Sequence, residues 1–127
     1  MDKKELVKKM YEKAVDFYKT ADMPENYLEA LSTVESSIKK FGVEPVDFLR
    51  NTILKSVDYE RLIYQIMYDL QHGWFISSQM EVEDDAIGQK NLEIALADFL
   101  NANGYHFSKT ALSDNGFEKM KTKYNLI

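Results

Sequence analysis

The feature that most constrains the fold is an apolar segment in the middle of the chain, residues 59–75. Wound as a helix, it carries one broad apolar stripe: Tyr59, Leu62, Ile63, Ile66, Met67 and Leu70. A second, aromatic stripe consists of Tyr64, Tyr68 and Phe75. A helix that is apolar over most of its circumference is either central in a bundle or partly covered by a partner. The pattern predicts a central helix at about 58–73, capped by Asp58 and ended or kinked by Gly73. Residues 74–80 could form a short strand, a loop or a continuation of this helix.

The first half of the chain predicts helices separated by short turns. An amphipathic pattern of apolar and charged residues covers 3–20. Asp22, Pro24 and Glu25 resemble the start of a second helix, with Asp22 as its cap. Gly42 is a natural left-handed residue at the end of that helix.

The remaining segments continue the helical pattern. A third helix is predicted over 45–57, followed after the central helix by an exposed acidic loop at 81–88. A fifth helix begins at Asp84 or Asp85, because acids stabilise the first turn. A last helical region is predicted over 108–124. The sequence therefore predicts an all-α, single-domain bundle of five to six helices joined by short loops, spanning all 127 residues.

Composition restricts the compartment and the chemistry. The chain contains no cysteine, which excludes disulfides, thiolate catalysis and Cys-ligated metal sites. Residues 1–9 are rich in charge where a signal peptide would need an apolar core, and no apolar run approaches the length of a membrane span. These features predict a cytoplasmic protein without a membrane partner.

Charge is distributed unevenly along the chain. The net charge is −5, but residues 21–100 carry −9, while residues 1–20 and 101–127 carry +2 each. An acidic middle region repels the phosphate backbone of nucleic acids and attracts a basic partner. Solubility alone is the simpler explanation of such a charge.

No motif in the sequence indicates catalysis. Asp69 and His72 share a helix face, but the second pair of ligands that a di-iron bundle requires is absent. The acidic segment 81–88 fits neither register of a calcium-binding loop. Ser77 and Ser78 lack the glycines of a nucleophile elbow. We therefore expect no enzyme activity, no metal and no cofactor.

DNA binding is the alternative function that the sequence raises. Residues 30–56 have the outline of a helix-turn-helix, and the second helix would present Arg50, Asn51 and Lys55 to the bases. Pro45 shifts the turn, and the acidic middle region opposes contact with phosphates. Direct nucleic-acid binding is therefore the weaker hypothesis.

The leading hypothesis is a non-catalytic protein-binding module of the inhibitor, immunity or regulatory-adaptor kind. Aromatic side chains on the central helix would anchor a partner with a basic surface, and an acidic loop would steer it. The predicted partner-binding residues are Tyr64, Tyr68, Phe75, Glu81, Glu83, Asp84 and Asp85. The same aromatic face could instead be buried by neighbouring helices or used in a homodimer. Lysine outnumbers arginine fourteen to two, which suggests an AT-rich bacterial or phage genome.

Two segments resemble known families of small helical proteins. The sequence FLNANGYHFSKTAL at residues 99–112 resembles the helix–Gly-Tyr-x-Phe–helix tail of Nif11-type leader domains. Residues 6–11 and 44–50 are similar in outline to helical bacteriocin-immunity proteins. Both resemblances imply a small helical accessory protein, and neither assigns a role to a particular residue.

Overall fold

The computed structural model describes residues 1–53, 55–108 and 114–127, excluding the side chains of residues 114 and 115, and within these ranges the chain forms six helices and no strand. The helices are α1 (Lys3–Thr20), α2 (Glu25–Lys39), α3 (Val46–Arg50), α4 (Tyr59–Gln79), α5 (Glu83–Asn101) and α6 (Asp114–Lys123). The predicted all-α bundle is therefore confirmed. The part of the last predicted helical region that contains Leu112 lies outside the described residues.

The start and stop signals of two helices act as predicted. The Oδ1 atom of Asp58 accepts a hydrogen bond from the backbone N–H of Arg61 at 3.1 Å and so caps α4. Gly42 has a φ of 76° just after α2. The cap predicted at Asp22 is wrong, since Pro24 occupies the N-cap position of α2 and no described side chain caps this helix.

The central helix is longer than predicted because Gly73 lies inside it. α4 continues to Gln79, and a Cβ atom at position 73 would overlap the Oε1 atom of Gln89 on α5. This glycine therefore makes room where two helices cross and does not end the helix. The acidic loop is correspondingly short, since α5 already begins at Glu83.

The third helix is shorter than predicted. α3 ends at Arg50, where Asn51 adopts the left-handed conformation with a φ of 54°. Asparagine tolerates this conformation better than most residues, so it can end a helix as glycine does. The described residues 52, 53 and 55–57 therefore do not continue the helix, and the helical part of the predicted element 45–57 is the five residues of α3.

α4 is the central element of the main core, as its apolar stripe predicts. It packs against α1, α2 and α5, while α3 packs on α1. Among the described helices, α6 packs against α4 only. The fully buried large apolar side chains of α4 and α5 are Leu62, Ile63, Ile66, Leu70, Leu92, Leu96 and Leu100. Burial of this kind contributes about 1.5–3 kcal/mol for each large apolar side chain.

Candidate functional site

The predicted aromatic anchors lie together beneath α6. Tyr68 is only 7% exposed and meets the ring of Phe117 edge to face, with centroids 5.8 Å apart. Phe75 contacts the same ring at 5.3 Å. Tyr64 stacks on Tyr124 at 3.8 Å. The second apolar face of the central helix is therefore covered in large part by the chain itself: Tyr68 is buried, while Tyr64 and Phe75 are half-buried.

Residues 125–127 are held against α4 by polar groups that the sequence analysis did not single out. The backbone N–H of Ile127 donates to Oε1 of Gln65 at 2.8 Å, and Nε2 of Gln65 donates back to the Ile127 carbonyl at 3.2 Å. Nε of Arg61 donates to the Asn125 carbonyl at 2.6 Å. The only signal in the sequence is a narrow polar strip, Arg61, Gln65, Asp69 and His72, on an otherwise apolar helix. Together with the buried side chain of Leu126, these bonds attach the segment to α4.

Asp69 belongs to a structural network and not to a metal site. Its carboxylate accepts hydrogen bonds from Ser37 at 2.7 Å and from Gln65 at 3.1 Å, and it pairs with Lys40 at 3.0 Å. His72 instead stacks on the ring of Tyr68 at 5.7 Å. Across the described ranges, no three His, Asp or Glu side chains are grouped as metal ligands would be.

The residues of the helix-turn-helix hypothesis do not share a recognition helix. Arg50 ends α3, while Asn51 and Lys55 follow it outside any helix. Nζ of Lys8 donates to Oδ1 of Asn51 at 3.2 Å, and Nζ of Lys55 lies 3.5 Å from the Phe41 carbonyl oxygen. A helix of five residues is too short to place several side chains along a major groove.

A cavity of about 690 Å³ is lined by residues of α4 and α6 and by residues 104–108. Its wall includes Glu60, whose Oε2 atom accepts a hydrogen bond from the Tyr105 hydroxyl at 2.7 Å and pairs with Lys3 at 3.2 Å. Burial, and then the bond to Glu60, raise the pKa of Tyr105. Burial also raises the pKa of Tyr64 to about 12. Both phenols therefore stay protonated at neutral pH and act as hydrogen-bond donors, not as bases.

The acidic residues predicted at 81–85 lie where α4 is followed by α5. We call this part of the bundle the acidic end and define it as residues 21–30 and 76–87. These two stretches contain seven acids and no lysine or arginine. The acids are Asp22, Glu25, Glu29, Glu81, Glu83, Asp84 and Asp85. All of them are exposed except Asp85, which is half-buried. The acidic end is thus more negative than the whole chain, whose net charge is −5.

Close helix contacts bring the two stretches of the acidic end together. A Cβ atom at Gly88 would overlap the backbone carbonyl oxygen of Asn26. The backbones of α5 and of the first turn of α2 are therefore in direct contact where the two helices cross. Nδ2 of Asn91 donates to the Tyr27 hydroxyl at 3.2 Å across the same crossing. The backbone N–H of Val82 bonds to the carbonyl of Ser77 at 2.9 Å and closes the corner between α4 and α5.

The acidic end also exposes large apolar side chains. Six of the ten exposed large hydrophobic residues among the described ones belong to it. They are Met23, Leu28, Ile76, Met80, Val82 and Ile87. Met80 is 70% exposed and Ile87 is 51% exposed. Single exposed apolar residues need no explanation, but a concentration of them amid charges of one sign is typical of an interaction surface.

Comparison with protein-family models, curated proteins and solved structures finds no match for this chain. None of the six described helices is long and apolar enough to cross a lipid bilayer.

Proposed function

We propose that this protein is a non-catalytic protein-binding module whose binding surface is the acidic end. The observation that carries the proposal is the combination of seven acids, no base and six exposed large apolar side chains on two adjoining stretches of the chain. The partner would present a basic surface with apolar side chains, because such a surface complements both properties.

The charge of the acidic end favours a basic protein over nucleic acid as the partner. The two stretches of the acidic end hold seven acids and no lysine or arginine, and this excess of negative charge repels a phosphate backbone, which disfavours nucleic acid as the ligand. It attracts a basic protein and accelerates the encounter at low salt. Affinity would come from the apolar side chains around the corner of α4 and α5, since charges at the rim of an interface add little binding energy.

The anchors of this surface differ from those that the sequence suggested. Glu81, Glu83, Asp84 and Asp85 keep their proposed role in steering the partner, but the aromatic residues beneath α6 are replaced as anchors by exposed methionine and isoleucine side chains. We retain the inhibitor, immunity or regulatory-adaptor class as part of the proposal. A cytoplasmic location is also proposed, in agreement with the absence of cysteine from the sequence.

A pair of charge-matched variants tests the proposal by affinity capture from extracts of the cells that make the protein. The double variant Glu81→Gln/Glu83→Gln removes two exposed acids from the acidic end, whereas Glu44→Gln/Glu118→Gln removes two exposed acids elsewhere. Each raises the net charge from −5 to −3. We expect the first to reduce capture of a partner at low salt by about three- to tenfold and the second to leave it unchanged.

Equal capture by the two variants would contradict the choice of surface, because general electrostatic attraction depends on net charge alone. Circular dichroism of both proteins provides the control for folding. Loss of the α5 first-turn charge at Glu83 should cost only about 0.3–1 kcal/mol of stability.

A further inference from the structure

We infer that the acidic end recognises a basic amphipathic helix, and this inference rests on the protein-binding function proposed above. The recognised segment would carry an apolar stripe bordered by lysine or arginine. The inference follows from the backbone of the acidic end, from the order of its apolar and acidic side chains, and from the flexibility of its exposed methionines.

The backbone of the acidic end offers no edge to which an extended peptide could add. The described part of the chain contains no strand. The amides at the corner are already bonded within the protein: the N–H of Met80 donates to Ile76, that of Glu81 to Ser78 and that of Val82 to Ser77. Strand addition, which depends on unpaired backbone groups, is therefore not available here. Recognition has to occur through side chains.

The exposed apolar side chains follow one another across the corner. Ile76 lies in the last turn of α4, and Met80, the residue that directly follows this helix, lies four positions after it, with its N–H bonded to the Ile76 carbonyl. Val82 directly precedes α5, and Ile87 lies in its second turn. All four are exposed, from 38% for Ile76 to 70% for Met80. A row of apolar side chains of this kind complements the apolar stripe of a helix, whose anchors recur every three or four residues.

Acids alternate with this row along the chain and lie beside it on α2. Glu81 and Glu83 lie at the corner itself, and the crossing at Gly88 places the first turn of α2, with Glu25, beside α5. A helix lying on the apolar row would bring its flanking lysine or arginine residues toward these carboxylates. The long aliphatic stems of such residues would cover apolar surface while their charged ends pair with the acids.

Methionine suits a surface that accepts helices of differing sequence. Met80 and Met23 are the most exposed apolar side chains of the acidic end, at 70% and 54%. An unbranched, polarisable thioether adapts its shape to the side chains packed on it. A purely basic extended tail would leave this apolar surface uncovered, so attraction of charge alone does not account for it.

Fluorescence anisotropy with labelled synthetic peptides tests the inference on the full chain. The first probe is a leucine–lysine peptide of about 16 residues with leucine at i, i+3, i+4 and i+7 spacing, long enough to form a helix on binding. The second has the same composition in a scrambled order, and the third is oligolysine of equal charge. We expect the amphipathic peptide to bind at least about tenfold more tightly than either of the others.

Two apolar variants locate the site. Met80→Ser/Ile87→Ser removes two exposed anchors of the acidic end, and Leu49→Ser removes an apolar side chain of similar exposure, 44%, on α3. The first variant should bind the amphipathic peptide at least about tenfold more weakly, while the second should bind it with unchanged affinity. Because these side chains are exposed, the variants are expected to fold, which circular dichroism checks.

Each other outcome overturns the inference. If oligolysine or the scrambled peptide binds as tightly as the amphipathic one, the surface recognises positive charge and not an amphipathic helix. The proposed protein-binding function would then stand without this refinement. If the amphipathic peptide binds the Met80→Ser/Ile87→Ser variant as tightly as it binds the wild type, the site lies elsewhere. If no basic peptide binds, recognition of a basic helix is wrong, while the capture experiment with the glutamate variants still decides the proposed function.

Discussion

The substitution Gly88→Ala is expected to destabilise the protein by about 2–4 kcal/mol, although alanine is the better helix former by about 1 kcal/mol. The added methyl group would overlap the backbone carbonyl oxygen of Asn26. A backbone atom cannot rotate out of the way, so α2 and α5 would have to separate and lose packing along their crossing. Urea unfolding followed by circular dichroism measures the change in the free energy of unfolding.

Gly73→Ala is the matched control for this prediction. Gly73 also lies within a helix, but the atom that its methyl group would overlap is Oε1 of Gln89, at the end of a flexible side chain. Gln89 is buried and its bonds to Thr33 and Ser77 are long, at 3.5 and 3.4 Å, so its side chain can shift at the loss of these bonds. We expect a cost of about 1–2 kcal/mol, partly offset by helix propensity and smaller than that of Gly88→Ala. A Gly88→Ala protein as stable as the wild type would show that the two helices do not cross as closely as described.

The substitution Phe117→Ala is expected to release α6 from the bundle. Phe117 is 3% exposed and its ring contacts Tyr68, His72 and Phe75. Truncating a buried phenylalanine costs about 3–5 kcal/mol. Because α6 packs on α4 alone among the described helices, this loss should appear as local opening and not as unfolding of the main core.

Hydrogen exchange measures this opening helix by helix. Amides of α6 should lose most of their protection in Phe117→Ala, while those of α2 and α5 keep theirs. Lys119→Ala, at an exposed position of the same helix, should leave exchange unchanged and serves as the control. Equal loss of protection throughout the bundle would contradict the description of α6 as a separate cover over the aromatic face.

Local patterns in the sequence predict most of the fold because they reflect one helix at a time. The spacing of apolar residues around Leu62 and Ile66 predicts a central buried helix, and Asp58 marks its start. A glycine, in contrast, has the same local signature at a helix end and at a helix crossing. The sequence alone therefore favours a stop or a kink at Gly73, and only the position of Gln89 on another helix shows that this glycine is a helix contact.

The candidate site is predicted less well because it depends on contacts between distant parts of the chain. An aromatic face on a helix requires a cover, but the sequence does not say whether a partner or Phe117, about 50 residues further along, provides it. The acids at residues 81–85 were recognised as a possible docking element. The proximity of these acids to Glu25 and Met23 follows only from the helix crossing at Gly88, which no local sequence pattern shows.

The most direct test of the central claim is the footprint of the amphipathic leucine–lysine peptide on the isotopically labelled protein, measured by NMR. The account predicts that amide resonances of residues 22–29 and 76–88 shift on titration, while those of residues 44–58, which contain the helix-turn-helix candidates Arg50, Asn51 and Lys55, stay in place. Shifts confined to residues 44–58 or to α6 would contradict the claim that the acidic end is the binding surface.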